Sequence, residues 1–365
     1  MEIREATPAD NDALIDLCHN APMKGVVEAY IDRAPDFFQF ARLQGLENRI
    51  WLAEKKGRVL GCIAQAKRRA LYRGKHVNLI YGGDLKVHPD GRGKRLGEVL
   101  TRQVIEFGYE NGFDMAEGVI IHGNTRAIDI LDRIFERLRW VKAGDVLLYQ
   151  VLPYKTYRQV NGYHVRAAGP EDADAIIEVL RRTYRDYACA PVFDRQWFDH
   201  ETGLSETFAI GNFKVAEQNG KIVAVAAFWD QETMRRTVVL RFNSAAKLLV
   251  PMLRTARPLF GFPKPPKPGD SLRYEYLRFP GALDGHIEGL KAIMHEHSNS
   301  LRLKGEHQFI WASYHQADPL QKSLEKMWKM SMKVNLYHFA FNDGIELPSS
   351  EEAKQTPAFA DFSLV

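Results

Sequence analysis

His76-Val77-Asn78-Leu79-Ile80-Tyr81-Gly82-Gly83-Asp84-Leu85-Lys86-Val87-His88-Pro89-Asp90-Gly91-Arg92-Gly93-Lys94-Arg95-Leu96-Gly97 changes structural character twice. Residues 76–87 read as a strand. His88-Pro89-Asp90-Gly91 breaks it, because proline offers no N–H and Asp-Gly favours a turn. Leu96, Val99, Leu100, Val104 and Phe107 recur at helical spacing, so a helix opens at the end of the stretch. A strand thus feeds a glycine-bearing cationic turn, which feeds a helix N-terminus. Such an end presents unpaired N–H groups and the positive pole of the helix dipole, and suits a phosphate or pyrophosphate. Gly93 and Gly97 allow close backbone approach, and the basic side chains favour an anion. The bland alternative is a solvated basic turn. Two familiar phosphate motifs do not fit, since the chain has neither G-x-x-x-x-G-K-[ST] nor G-x-G-x-x-G.

Outward from this stretch, the chain repeats itself. Ile3-Arg4-Glu5-Ala6-Thr7-Pro8-Ala9-Asp10 is matched by Val165-Arg166-Ala167-Ala168-Gly169-Pro170-Glu171-Asp172. Each copy reads as a short strand and then a helix with proline in its first turn, where the missing N–H costs nothing. Ala53-Glu54, Gly57, Val59 and Gly61 pair in the same way with Ala216-Glu217, Gly220, Ile222 and Ala224, as two hairpins. An offset of about 160 residues is too long for a solenoid unit and fits two tandem domains of one fold. The expected boundaries are 1–152, 163–342 and a polar, proline-punctuated tail, 343–365, read as a mobile end or a loose apolar strap. Arg257 to Gly269, with its prolines, reads as a stiff surface loop.

Composition removes several classes. Of 365 residues, 45% are hydrophobic and 26% charged, which is ordinary for a globular protein. Lys+Arg 50 against Asp+Glu 46 leaves +4, too mild a balance to imply nucleic acid. No apolar run of about 18 residues appears, so no membrane span is expected. The charged start, Met1-Glu2-Ile3-Arg4-Glu5, lacks the apolar core of a signal peptide. Cys18, Cys62 and Cys189 are scattered and read as packed, reduced thiols of a cytoplasmic protein. His295-Glu296-His297 lies on an expected helix where the two histidines do not share a face, so no metal site is expected.

Val87-His88-Pro89-Asp90-Gly91-Arg92-Gly93-Lys94-Arg95-Leu96-Gly97 resembles the acyl-CoA pyrophosphate loop of the GNAT superfamily of N-acetyltransferases. The order of elements agrees: strand and helix at Ile3 to Asn20, a hairpin at Ile50 to Ala66, a strand at Met115 to Ile121, Asn124 before a fourth helix, and a closing strand at Val146 to Leu152. The resemblance implies an α/β (α+β) fold of two tandem GNAT-like domains, each a mixed central sheet flanked by helices. It implies an acetyltransferase that moves the acetyl group of acetyl-CoA to a small-molecule amine or peptide, by direct attack and without a metal. Leu85, Lys86 and Val87 match the strand edge that holds the pantetheine arm. Arg92, Gly93, Lys94, Arg95, Leu96 and Gly97 match the diphosphate loop, and Asn124, at the family's spacing just before the fourth helix, is a further cofactor-binding candidate. Asp84, Glu117 and His122 are the candidate bases. The sequence departs from the pattern at Arg95 and around the fourth helix, where Arg139 also replaces a glycine and the motif sits about one turn further from Asn124. Arg95 replaces the usual first glycine, and as part of the opening helical turn it would be sterically acceptable. Phe135 replaces the tyrosine that protonates the leaving thiolate in many members. The second copy, Tyr274 to Gly285, lacks the loop and is expected not to hold CoA, but to shape the acceptor cleft or buttress the first domain. A non-catalytic acyl-CoA sensor and a transferase for longer acyl chains are the alternatives.

Overall fold

The computed structural model describes residues 1–23, 25, 27–134, 138–203, 205–243, 247, 250–252, 254–255 and 263–365. Phe135 and Arg257–Phe262 lie outside the described residues. The first half contains β1 (Glu2–Glu5), α1 (Asn11–Asn20), β2 (Val27–Asp32), α2 (Phe37–Ala41), β3 (Glu47–Lys55), β4 (Arg58–Tyr72), β5 (Lys75–Val87), α3 (Leu96–Glu110), β6 (Met115–Ile121), α4 (Thr125–Ile134) and β7 (Arg139–Val151). The second contains β8 (His164–Ala167), α5 (Ala173–Thr183), β9 (Ala190–Pro191), α6 (Arg195–Gly203), β10 (Phe213–Gln218), β11 (Lys221–Asp230), β12 (Arg236–Phe242), β13 (Ser271–Leu272), β14 (Tyr274–Ala282), a long helix (Ile287–Lys304), β15 (Phe309–His315) and β16 (Lys329–Ala340).

The internal repeat is visible as repeated chemistry. Arg4 bridges Asp10 and Glu54, each at 2.7 Å. Arg166 bridges Asp172 at 2.6 Å and Glu217 at 2.7 Å. In each copy one guanidinium ties the first strand to the turn before the helix and to the hairpin strand beside it. The hairpin turns also match. Lys56-Gly57 and Asn219-Gly220 both take two successive positive φ values, the geometry of tight hairpin turns.

The described strands form a 13-stranded sheet in the order β1-β3-β4-β5-β6-β16-β7-β15-β14-β11-β10-β8, with β9 paired to β4. The order is nearly a palindrome, and its centre departs from expectation. The strand expected to close the first domain does not pair with β6. Instead β7 lies antiparallel to β15, Val151 opposite Ile310 and Val146 opposite His315. In exchange, β16 from the end of the second half lies antiparallel to β6, Ala340 opposite Met115 and Val334 opposite Ile121. β7 and β16 then pair with each other from Arg139↔Ala340 to Val151↔Lys329. Each half therefore completes the other's sheet.

The helices cover both faces. Leu96, Leu100 and Val104 of α3 pack on Leu60, Ile63, Ile80 and Ala116, with Tyr337 and Phe339 contributed by β16. Leu14, Leu17 and Cys18 of α1 pack with Ile50, Leu52, Cys62 and Ala64. A second, three-stranded sheet joins the halves, with β12 pairing to β13 on one side and to β2 on the other.

The tail is a strap. Ala358 bridges Ala188 in parallel, and the Ser313 hydroxyl donates to the Ala360 carbonyl at 2.7 Å. Gln231 donates to the Ser363 carbonyl at 2.8 Å, and Gln44, from the first half, to that of Leu364 at 3.1 Å. Asp361 sits 2.9 Å from Arg278, a residue only 3% exposed that also meets Glu201 at 3.0 Å. Removing one partner of a buried charge leaves that charge uncompensated. Asp361→Ala is therefore expected to cost about 2–3 kcal/mol of unfolding free energy, with Glu201 limiting the loss. Urea denaturation followed by circular dichroism measures it.

Candidate functional site

Parallel strands β5 and β6 pair only from Leu79↔Met115 to Tyr81↔Glu117, although β5 continues to Val87 and β6 to Ile121. They part beyond Tyr81 and Glu117, and the main chain of β5 past that point has no partner on β6. Its other edge is kept by β4, with a register shift, since Ala64 faces Gly83 and Cys62 faces Lys86. The bulge contains Asp84 in the left-handed region, φ 56°. Gly83 is needed there, because a Cβ would lie 2.5 Å from the Tyr81 hydroxyl oxygen. The kink keeps Leu85 and Val87 turned to the α3 side: Leu85 approaches Gly97, and Val87 packs on the α3 core. Asp84 and Lys86 turn to the other face.

The turn that follows ends against α3. Pro89–Gly91 makes one tight turn, and the His88 ring accepts a hydrogen bond from the Asp90 N–H at 3.1 Å. Arg92, Gly93, Lys94 and Arg95 are exposed, whereas Leu96 and Gly97 are buried. Gly93 takes φ +77°, with open space around the position of a Cβ. Arg95 differs from the sequence expectation. It precedes the helix as its N-cap, in the left-handed conformation with φ 54°, and no side chain caps the helix. For a non-glycine residue that conformation costs about 1 kcal/mol. Its guanidinium donates twice to Glu98 at 2.9 Å. Arg133 of α4 reaches the same carboxylate at 3.1 Å. Burial opposes ionisation of Glu98, but the hydrogen bonds from Arg95 and Arg133 outweigh it and hold the carboxyl below its usual range. The helix end thus has no side-chain cap, and Arg95, Arg102 and Arg133 share Glu98 beside it. Asn124 uses its side-chain oxygen on the Ala127 N–H, at 3.3 Å, at the start of α4.

The three candidate bases have different surroundings. Asp84 is clamped: one oxygen lies 2.7 Å from Arg33 and the other meets the Lys86 ammonium. Arg33 is 2% exposed. Burial, and then Arg235 nearby, push Arg33 down to about 10, and burial pushes Lys86 down to about 8. Asp84 therefore serves as a counterion. Glu117 stands where the strands part, 3.3 Å from the buried His338 of the exchanged strand β16. Burial disfavours the charged imidazole of His338, but Cys189 and Glu117 beside it prevail and raise it to about 10. His122 is exposed, just past the end of β6. The Glu117, Cys189 and His338 ligand atoms lie within 4.8 Å of one another, the one such potential metal-ligating group among the described residues. The sequence reading missed Arg33, Arg235, Cys189 and His338, which have no motif spacing and meet only through strand exchange and the bridging sheet.

Residues 16–135 match the model of the acetyltransferase (GNAT) family. The match ends just before β7, the strand given to the other half. A search of curated proteins finds no match. Among solved structures, the chain is similar to Saccharomyces cerevisiae N-myristoyltransferase with bound myristoyl-CoA and inhibitors, with a TM-score of 0.61 and 15% identity over 93% of this chain and 80% of that one. It is similar to a tandem GNAT protein from the clavulanic acid biosynthesis pathway, with a TM-score of 0.58 and 12% identity over 93% and 98%. The same holds for a GCN5-related N-acetyltransferase from Sphaerobacter thermophilus, with a TM-score of 0.56 and 15% identity over 95% and 98%. At these identities the likeness is one of fold. Residues 16–135 thus resemble a GNAT domain, and the chain as a whole shares the mixed α/β fold of these structures. No described helix is long and apolar enough to cross a membrane.

His338 makes stability depend on pH. Its folded pKa, raised to about 10, exceeds the ordinary 6.5 of an unfolded histidine. Its stabilising contribution is fully present below pH 6.5 and is lost as pH rises toward 10. Denaturant midpoints are expected to fall across that window, and His338→Gln is expected to flatten the slope.

Proposed function

We propose that the chain is an acyl-CoA-dependent N-acyltransferase that uses acetyl-CoA or a longer acyl-CoA and attacks with an amine. The observation that carries this reading is the parting of β5 and β6 directly before the uncapped N-terminus of α3. In this reading the amides of residues 92–97 and the helix dipole hold the diphosphate, with Arg92 and Lys94 adding charge. The pantetheine arm lies along the free edge of Leu85, Lys86 and Val87, where a backbone N–H polarises the thioester carbonyl. The matching gap in the second half is filled. β14 and β15 pair only from Tyr274↔Phe309 to Tyr276↔Trp311, and Phe359–Asp361 of the strap occupy the space beyond, leaving a cavity of about 10 Å³. That is at the lower limit for one water molecule.

The acceptor ammonium must lose a proton before it attacks. Glu117 is the favoured base, acting through a water, at the point where the strands part and 3.3 Å from His338. Asp84 is less suited because two cations hold its lone pairs. The neutral amine attacks the thioester carbon, the oxyanion forms at the β5 edge, and collapse releases the CoA thiolate. Phe135 cannot protonate that thiolate. A thiolate leaves unaided, at the cost of the roughly 10²–10⁴-fold that one general acid supplies. The longer-chain reading draws on the likeness to an enzyme whose structure holds myristoyl-CoA.

Three outcomes follow from this arrangement. Calorimetric titration with acetyl-CoA should find one site per chain, and two equivalent sites would remove the strap argument. Gly93→Ala should weaken acetyl-CoA binding in the same titration, because a side chain at φ +77° is strained by about 1 kcal/mol. Glu117→Gln should lower turnover by about 10²-fold or more while leaving acetyl-CoA affinity unchanged. Thiol release over an amine panel measures that loss, and a fully active variant would place the base elsewhere.

A further inference from the structure

The bridging sheet produces a charge imbalance beside the β5 bulge. Arg33 directly follows β2 and Arg235 directly precedes β12, and the register Asp32↔Arg236 sets them side by side. Both guanidiniums lie 4.7 Å from the ring of Phe40, one contributed by each half of the chain. Lys86 and Asp84 of the β5 bulge complete the group, so the set holds three cations, the buried Arg33 with the partly buried Lys86 and Arg235, and one anion, Asp84. Arg68 is adjacent, 4.2 Å over the Tyr81 ring. The hydrogen-bonding groups are not used up. Arg33 Nε, Arg235 Nε and Nη1, Arg68 Nη2 and the Tyr81 hydroxyl are buried without a hydrogen-bond partner. Arg33 itself is 98% buried, from its 2% exposure.

Buried cations without partners are costly, and a fold that needed them only for packing would neutralise them. The second half does so. Its bulge places Phe279 in the left-handed region, as Asp84 is in the first, and the neighbouring Arg278 is met by both Glu201 and Asp361. The first half leaves its surplus with the single counterion Asp84, beside the strand that would hold the thioester.

Resting on the transferase reading, we propose that Arg33, Arg235 and Lys86 form a subsite for an anionic group on the acceptor, so that the preferred acceptor is an amine carrying a carboxylate or phosphate. The second half then has a specific task, since it supplies Arg235 to the acceptor while its own acyl cleft is strapped shut. Bidentate guanidinium geometry suits both oxyanions.

The test uses the full chain. Thiol release from acetyl-CoA is followed with matched acceptors: glycine, β-alanine and 4-aminobutanoate against their carboxamides, and phosphoethanolamine against ethanolamine. The anionic member of at least one pair should exceed its neutral partner by about tenfold or more in kcat/KM, as charge-assisted hydrogen bonds predict. The carboxylate and phosphate pairs distinguish the two groups. Arg235→Gln should collapse the preference while acetyl-CoA affinity stays as in the parent, and Arg235→Lys should restore part of it. Equal or faster turnover of the neutral amines, or a preference that survives in Arg235→Gln, overturns the subsite. If acetyl-CoA binds but no acceptor reacts, the transferase reading fails, and thermal unfolding with malonate or inorganic phosphate judges the subsite separately. Either anion should raise the midpoint of the parent and not of Arg235→Gln, and no difference between the two proteins overturns the proposal.

Discussion

The exchange of β7 and β16 is the constraint on which the rest of the molecule depends. A GNAT-like half needs an antiparallel strand beside β6 to finish its sheet, and here that strand comes from residues near the far end of the chain. The two halves must therefore fold together, because β6 and β15 would each expose an unpaired edge without the other half's strand. The exchange also brings chemistry to the site. His338 reaches Glu117 only because β16 crosses into the first half, and the α3 core is completed by Tyr337 and Phe339 from the same strand. Packing, charge and cleft geometry in the first half all rely on a segment more than two hundred residues later in the sequence.

Given that interlock, the two copies can diverge without coming apart. Both retain the arginine-centred ion triad that fixes the first strand, and both retain a left-handed residue at the bulge of the strand before the gap, Asp84 and Phe279. They differ in what enters the gap. In the first copy, the glycine-bearing turn and the uncapped α3 leave it suited to an outside anion. In the second, Phe279, Phe359 and Asp361 fill it from within the chain. One backbone device thus serves a ligand in one copy and self-packing in the other.

Much of the local structure was legible because it is written in short-range patterns. Lys56-Gly57 and Asn219-Gly220 mark turns that glycine makes inexpensive, and β6 runs over the expected Met115–Ile121. The turn and helix from His88 onward are likewise set by proline, glycine and helical spacing. Pairing partners were not legible. The alternation of β7 fits β6 or β15 equally well, since periodicity reports the buried face and not the neighbour. Arg95 was expected inside the helix, because nothing in the sequence distinguishes an N-cap arginine held in the left-handed region by Glu98 from one in the first turn. Arg33 and Arg235 had no signal, as each stands alone in its own segment and they meet only through the β2–β12 register.

The surroundings of Asp84 decide what it can do. On the strand edge its carboxylate was a plausible base, but a base must have a lone pair free to receive a proton. With Arg33 at 2.7 Å on one oxygen and Lys86 on the other, protonating Asp84 would leave two buried cations without their counterion. Glu117 is held differently, by one ion pair, to His338 at 3.3 Å, on the strand across the gap from Asp84. Asp84 balances one cation, and in the proposed reading the remaining surplus meets the anionic group of the acceptor.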